Sequence, residues 1–146
     1  MSIIGEINGY YNTVNIMAGR KGLKSNDFNL RYDLRMRFDG EENVLTGDEF
    51  RLLLETEKTG TLLQASCNLN ISYRKAWALV RKIEKQFGFQ ILSRRKDGST
   101  AGRNEMTLKG MELLNAWKAL NHEADIAMKS ITNVFLRRIE DIYEDK

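Results

Sequence analysis

Between residues 61 and 87 the spacing of apolar positions predicts two helices. The first begins after Thr61, which forms a capping-box pair with Gln64, and its apolar positions recur at helical spacing: Leu62, Ala65 and Leu69. The second begins after Ser72 as its N-cap, and its apolar residues fall on one face at the 3.6-residue period: Ala76, Val80, Ile83 and Phe87. A short turn at residues 68–70 separates the two, and this arrangement is a helix-turn-helix unit.

Arg74 and Lys75 lie in the first turn of the second predicted helix, where positive charge is unfavourable. An acidic residue there stabilises a helix by about 0.3–1 kcal/mol, and a basic residue opposes the helix dipole. An unfavourable charge that does not benefit the structure in another way indicates an anionic partner. At 100° per residue, the face opposite the buried stripe carries Arg74, Ala78, Arg81 and Lys85, with Lys75 and Lys82 beside it. This basic face predicts a recognition helix.

Residues 90–107 predict a strand, a polar loop and a returning strand. The strands are Gln90–Arg95 and Glu105–Thr107, and the loop between them contains Gly98 and Gly102. Four basic residues cluster around this loop: Arg94, Arg95, Lys96 and Arg103. A strand, loop and strand after a recognition helix are typical of a wing that contacts phosphate. A soluble hairpin without a binding role is the alternative.

The sequence ISYRKAW at Ile71–Trp77, the VRKIEKQFGFQILSRR that follows, and MTLKG at Met106–Gly110 resemble the winged helix-turn-helix domain of the molybdate-responsive regulator ModE. More distantly, they are similar to the LysR-type regulators. The resemblance covers about residues 31–114 and implies a bacterial transcription factor that binds duplex DNA as a dimer. ModE continues into a β-rich molybdate-binding portion, whereas no alternating strands follow Thr107 here. Molybdate sensing is therefore not expected on this chain. A separate effector-sensing partner, or another signal acting through the wing and the dimer interface, stays open.

Upstream of the helix-turn-helix unit, the pattern predicts a strand and then a helix. Residues 31–38 alternate strictly between apolar and charged side chains, which indicates a half-buried strand, and Asp39 and Gly40 supply a turn. Thr46 and Glu49 form a capping box, and the helix behind it carries an apolar stripe: Phe50, Leu53 and Leu54. We expect this helix to end near Gly60 and to complete a three-helix core.

From residue 108 to residue 143 the pattern predicts one long helix of about 54 Å. Its apolar positions alternate spacings of four and three over about three heptads, as paired helices require. We assign a homodimer interface to this helix: Leu113, Trp117, Leu120, Met128, Ile131, Phe135 and Ile139. The alternative is a helix that folds back on its own domain.

The basic residues of the chain are concentrated in one block. Residues 70–110 hold ten Lys or Arg and three Asp or Glu, a net charge of +7, and the remaining residues hold thirteen and seventeen, a net charge of −4. A basic block on an otherwise acidic protein is typical of a polyanion-binding site. We therefore assign DNA binding to the recognition helix and the wing: Ser72, Tyr73, Arg74, Lys75, Arg81, Lys85, Arg94, Arg95, Lys96 and Arg103.

Catalytic chemistry is not indicated. The only histidine, His122, lies on the long helix without an acidic or nucleophilic constellation around it. No Gly-rich phosphate loop follows a strand and no Cys/His spacing suits zinc, so neither a cofactor nor a metal is expected. The single cysteine, Cys67, is interpreted as a packing residue in a reducing compartment; a redox switch is the alternative, although the sequence indicates no resolving partner. With no 18-residue apolar run and no secretory signal pattern, we expect a cytoplasmic protein without membrane contact.

Together these patterns predict a mainly α fold with a small β-sheet. Residues 31–107 are expected to form a winged helix-turn-helix DNA-binding domain, and residues 108–146 a long dimerisation helix and tail. Residues 1–30 are an arm of unknown role, either a flexible tail or a segment packed on the domain or on a second subunit. The function predicted is regulation of transcription by a homodimer on duplex DNA. A protein-interaction module and a non-specific nucleic-acid binder are the alternatives.

Overall fold

The computed structural model describes residues 12–15, 29–40, 44–93 and 104–144 of the chain. Its elements are two short strands, β1 (Asn12–Asn15) and β2 (Asn29–Tyr32), and four helices: α1 (Gly47–Thr59), α2 (Leu62–Asn68), α3 (Tyr73–Phe87) and α4 (Leu108–Glu144). The described chain is thus mainly helical and contains a long C-terminal helix, as the sequence predicts. It divides into two compact units. The described residues of the first unit are 34–40, 44–93 and 104–118, and those of the second are 12–15, 29–33 and 119–144.

Local sequence signals set the limits of α1. The Thr46 Oγ1 accepts a hydrogen bond from the Asp48 N–H, and the Thr46 N–H donates to Oε2 of Glu49 at 2.9 Å. The predicted capping box is therefore confirmed. At the other end Gly60 takes φ 85° and its N–H donates to the Thr56 carbonyl. This left-handed backbone conformation favours glycine, so α1 ends where the sequence predicts.

The N-caps of α2 and α3 are also those predicted. The Thr61 Oγ1 accepts from the Gln64 N–H, and the Ser72 Oγ accepts from the Lys75 N–H, each at 3.1 Å. The Gln64 side chain differs from the prediction, because its Nε2 donates forward to Oδ1 of Asn68 at 2.9 Å. The predicted capping box at Thr61 is therefore wrong in its second half, since this i,i+4 amide pair takes the Gln64 side chain along the helix.

The turn between α2 and α3 lies slightly later than predicted. Asn68 still belongs to α2, and the turn occupies residues 69–72. Asn70 has φ 58°, a left-handed conformation that asparagine tolerates better than most residues. The Ile71 N–H then donates to the Ser66 carbonyl at 3.0 Å, which fixes the angle at which the chain enters α3.

The apolar faces of α1, α2 and α3 form one core with the segment after α3 and the start of α4. Its fully buried members include Phe50, Leu52 and Leu53 of α1, Leu62 and Ala65 of α2, Ala76, Val80 and Ile83 of α3, and Ile91, Leu92 and Leu114. The Trp117 indole stacks on the Phe50 ring, with centroids 4.0 Å apart and planes 7° apart. Trp117 is only 5% exposed, so the assignment of this residue to a dimer interface is corrected: it belongs to the core of its own chain.

The segment predicted as a strand over 31–38 is a regular strand only at its start. β2 pairs antiparallel with β1 up to Tyr32, and later Met36 and Leu45 exchange two backbone hydrogen bonds of 2.8 Å as an isolated bridge. The predicted alternation holds, because the apolar side chains from Leu30 to Met36 are half-buried and the charged ones between them are exposed. The strand is shorter than predicted because ladder pairing depends on a partner segment, which periodicity does not specify.

The strands of the predicted wing are reduced to one antiparallel bridge between Leu92 and Met106 within the described residues. Two backbone hydrogen bonds of 2.8 Å flank it, from the Ser93 N–H to the Glu105 carbonyl and from the Thr107 N–H to the Ile91 carbonyl. The loop that would join them, residues 94–103, lies outside the described residues, and with it Arg94, Arg95, Lys96, Gly98, Gly102 and Arg103.

Candidate nucleic-acid interface

Helix α3 presents a basic face to solvent. Arg74, Ala78, Arg81 and Lys85 are all exposed, whereas Ala76, Val80 and Ile83 on the opposite side are fully buried. The helix therefore has the orientation that its 3.6-residue pattern predicts. Tyr73 is 37% exposed and Lys75 is half-buried, so both lie at the edges of this face.

The charges of this face have no acidic partners in the part of the chain that the structure describes. Among the described residues, neither Arg74 nor Lys85 lies within ion-pair distance of a carboxylate. The one acidic residue of α3, Glu84, has Oε2 engaged by the Ile91 N–H at 2.7 Å. The carboxylate therefore fixes the chain after α3 and does not neutralise an arginine.

Lys82 has a different role from its basic neighbours. Its Nζ donates to Oε1 of Glu49 at 2.7 Å, and the Glu49 side chain is only 3% exposed. The other carboxylate oxygen of Glu49 accepts the Thr46 N–H, so one buried carboxylate joins the N-terminus of α1 to the flank of α3. Lys82 thus contributes to the packing of the two helices. The exposed basic residues of the positive face are Arg74, Arg81 and Lys85.

The N-terminus of α3 concentrates positive potential. The first N–H groups of a helix have no carbonyl partner within the helix, and they form the positive end of its dipole. Ser72 caps the third of them, at Lys75, and Arg74 stands exposed beside this end. A helix N-terminus with an adjacent guanidinium is suited to an anion such as phosphate.

Two aromatic residues of α3, Tyr73 and Trp77, border the basic face. Trp77 is half-buried, its ring meets that of Tyr73 at 6.3 Å and 82°, and the Arg81 Cζ lies 5.9 Å from the indole centroid. Lys109, at the start of α4, is an exposed basic residue whose Nζ lies 5.8 Å from the Phe89 ring. Neither Trp77 nor Lys109 was predicted as a site residue. The signal that could have identified Trp77 is the i,i+4 spacing of Tyr73, Trp77 and Arg81.

Helix α4 carries two apolar faces with different environments. Leu114 and Trp117 lie in the core, Leu113 packs against it, and further along Thr132 and Leu136 are buried with 3% and 4% exposed. Beside this covered face runs an exposed stripe, which consists of Leu120, Ala127, Ile131, Val134, Phe135 and Ile142. The larger side chains of the exposed stripe are 43–60% exposed.

The predicted dimer residues divide between these faces. Leu113 and Trp117 pack within their own chain, and Met128 and Ile139 are half-buried. Leu120, Ile131 and Phe135 belong to the exposed stripe. The stripe keeps the spacings of three and four, whereas the covered face between residues 119 and 144 includes Asp125 and Thr132. The more apolar of the two faces is therefore the more exposed one.

Other candidate chemistry is sparse in the part of the chain that the structure describes. Its His, Cys, Asp and Glu residues form no group suited to a metal ion. A cavity of about 370 Å³ lies between the end of α1 and the base of the predicted wing, lined by Thr56, Glu57, Gly60, Asn104, Glu105, Met106 and Met111. Cys67 is exposed, so its interpretation as a packing residue is wrong: it lies on the side of α2 opposite the buried residues Leu62, Ala65 and Leu69.

No model of a known protein family matches this chain, and no curated protein is significantly similar to it. Across the described segments, none of the helices combines the length and the apolarity needed to cross a lipid bilayer.

Proposed function

We propose that the chain is a transcriptional regulator of the ModE-like type, which binds duplex DNA as a homodimer through a winged helix-turn-helix domain. The observation that carries the proposal is the exposed basic face of α3. Arg74 and Lys85 have no acidic partner among the described residues, while the single acid of the helix, Glu84, is used internally. An uncompensated positive face on a helix held rigidly by a core is suited to the polyanionic backbone of DNA.

In this proposal α3 is the recognition helix and enters the major groove. Its first turn is the part that reaches base edges in helix-turn-helix proteins, so Arg74 is the candidate for a bidentate contact to guanine. Arg81 and Lys85 lie two and three turns further along and are assigned to phosphates. The remaining contacts at the helix start, Ser72, Tyr73 and Lys75, are assigned to phosphates as well. Ala78, between Lys75 and Arg81, is small enough to let the helix approach the groove closely.

The antiparallel bridge between Leu92 and Met106 supports a wing in the position that the sequence predicts. We assign the wing's phosphate contacts to Arg94, Arg95, Lys96 and Arg103 and add the exposed Lys109 at its base. Phosphate contacts position a protein on the duplex without reading its sequence. The wing therefore adds affinity, and specificity is assigned to α3.

The exposed stripe of α4 supports homodimer formation. Side chains such as Ile131 and Ile142 are each 60% exposed, and heptad-like spacing is the pattern by which two helices interdigitate. A contiguous apolar surface of this kind typically marks an interaction site. Two recognition helices about 34 Å apart would then read a two-fold-related site on one side of the duplex.

Selection of duplexes from a random pool by the full chain tests this function. We expect a two-fold-related consensus, bound at least about 10³-fold more tightly than a scrambled duplex at physiological salt. The control is the same measurement with the scrambled duplex across salt concentrations, where affinity falls linearly on a log–log scale. Enrichment of no sequence would overturn specific regulation.

A protein-interaction module is the second candidate, and the exposed stripe of α4 is the observation that favours it. In that case the stripe binds a different protein and the basic face only steers association. Absence of any salt-dependent duplex affinity in the same selection would favour this candidate.

A further inference from the structure

Trp77 connects the core of the protein with its basic face. Residues four apart on a helix are neighbours, so Tyr73, Trp77 and Arg81 form a row along one flank of α3. The indole packs against the core on one side, and the Tyr73 ring meets it edge-on at 6.3 Å. The Arg81 guanidinium lies over the indole, with Cζ 5.9 Å from its centroid. The indole is thus fixed by the fold and offers a face to a side chain that is exposed.

We propose that Trp77 is a positioning residue for DNA binding, which holds the guanidinium of Arg81 ready for the phosphate backbone. This inference rests on the proposed function. An arginine on an exposed helix face samples many rotamers, and ordering it on binding opposes association. Stacking on a ring that the core already holds removes part of this loss before DNA arrives. Tryptophan is the side chain that attracts a cation most strongly in this way.

The arrangement distinguishes Arg81 from the other cations of the face. Within the described residues, Arg74 and Lys85 have no aromatic ring beneath their charges, and the lysine of the flank, Lys82, is held by Glu49. A guanidinium is planar and stacks on aromatic faces, while an ammonium does not. Of the exposed cations on α3, Arg81 is therefore the one whose direction the fold itself sets.

A double-mutant cycle tests the proposal through the affinity for the selected duplex. Trp77→Met fills the half-buried space without an aromatic face, and Arg81→Ala removes the side chain that the indole holds. We expect Trp77→Met to weaken binding about two- to five-fold when Arg81 is present, and to change it by less than about 1.5-fold in the Arg81→Ala background. Equal effects of Trp77→Met in both backgrounds would overturn the proposal, as would no effect at all.

The matched control is Leu79→Ala, which removes a half-buried side chain from the opposite flank of α3. It should lower the melting temperature without any coupling to Arg81. Trp77→Phe, which retains a ring, should keep affinity within about two-fold of the unmodified chain. If Trp77→Met fails to fold by circular dichroism, the cycle is run with Trp77→Leu, which also lacks an aromatic ring and for which the same coupling to Arg81 is expected. An equal loss in both backgrounds, or no loss in either, overturns the proposal.

Failure of the inference is separable from failure of the proposed function. If the unmodified chain selects no duplex, the function is wrong and the cycle has no basis. The other case is a chain that binds its selected duplex and loses affinity with Arg81→Ala. If the substitutions at Trp77 then act independently of Arg81, only the positioning role is wrong.

Discussion

At the scale of single residues, α3 combines stability and binding requirements that oppose each other. Arg74 is exposed beside the positive end of the helix dipole and lacks an acidic neighbour among the described residues. The same position would stabilise α3 if it carried a negative charge. Lys82, by contrast, has a buried carboxylate 2.7 Å away and contributes to packing. Two basic residues on one helix therefore have different roles, and stability measurements can separate them.

Arg74→Ala is expected to raise stability while lowering affinity for DNA. Removing the charge that opposes the helix dipole should increase the free energy of unfolding by about 0.3–1 kcal/mol. Losing a contact to a base edge should cost about 1–3 kcal/mol of binding and relax the preference at one position of the site. Chemical denaturation and duplex titration measure the two effects. Lys58→Ala, in the last turn of α1, is the matched charge control and should leave duplex affinity unchanged. Unchanged affinity and preference for Arg74→Ala would contradict the assignment.

At the scale of elements, the start of α4 is fixed against the segment after α3. Gly110 lies where a Cβ atom would be 2.7 Å from the Ile91 carbonyl oxygen and 3.2 Å from the Ile91 Cα. The same Ile91 carbonyl accepts the Thr107 N–H at the base of the predicted wing. Close approach of the two backbones therefore depends on the absence of a side chain, and it joins α4 to the bridge between Leu92 and Met106.

Gly110→Ala should therefore destabilise the protein, although alanine favours helices. In an ordinary helix interior this substitution stabilises by about 1 kcal/mol. Here the methyl group meets backbone that cannot move aside cheaply, and we expect a loss of about 1–3 kcal/mol. Ser130→Ala, at an exposed position of the same helix, is the control and should be neutral or slightly stabilising. Thermal melts of the two variants give the comparison, and a Gly110→Ala protein more stable than the unmodified chain would rule out the close contact.

At the scale of the whole molecule, the exposed stripe of α4 predicts association with a second copy. Burial of apolar surface contributes about 25 cal/mol per Å². Packing two stripes against each other therefore stabilises a dimer relative to the monomer. Ile131 is 60% exposed in the chain itself, so a charge there should leave the monomer folded. A charge inside a helix pair, however, would be desolvated without a partner.

Ile131→Asp is accordingly expected to yield folded monomers that bind the selected duplex much more weakly. Sedimentation equilibrium gives the mass, and circular dichroism verifies that the helices persist. Ser130→Asp places the same charge one residue away, outside the stripe, and should remain dimeric. If the unmodified chain sediments as a monomer at micromolar concentration, the homodimer proposal fails.

The sequence by itself determined the elements whose causes are local. Helix limits follow from caps at Thr46, Ser72 and Gly60, and the buried face of α3 follows from spacing along one helix. These interactions join residues three or four positions apart, so a linear pattern contains them. The length of β2 and the side-chain partner of Gln64 were mispredicted, because several partners compete for the same groups.

Only the tertiary structure decided which apolar and charged residues remain available for binding. Periodicity placed Trp117 and Ile131 in one stripe, yet Trp117 stacks on Phe50 and Ile131 stays in solvent. Likewise, Lys82 resembled its basic neighbours until Glu49, 33 positions away, was found beside it. Burial and ion pairing depend on segments that folding brings together from distant parts of the chain, and no local spacing encodes which segments those are.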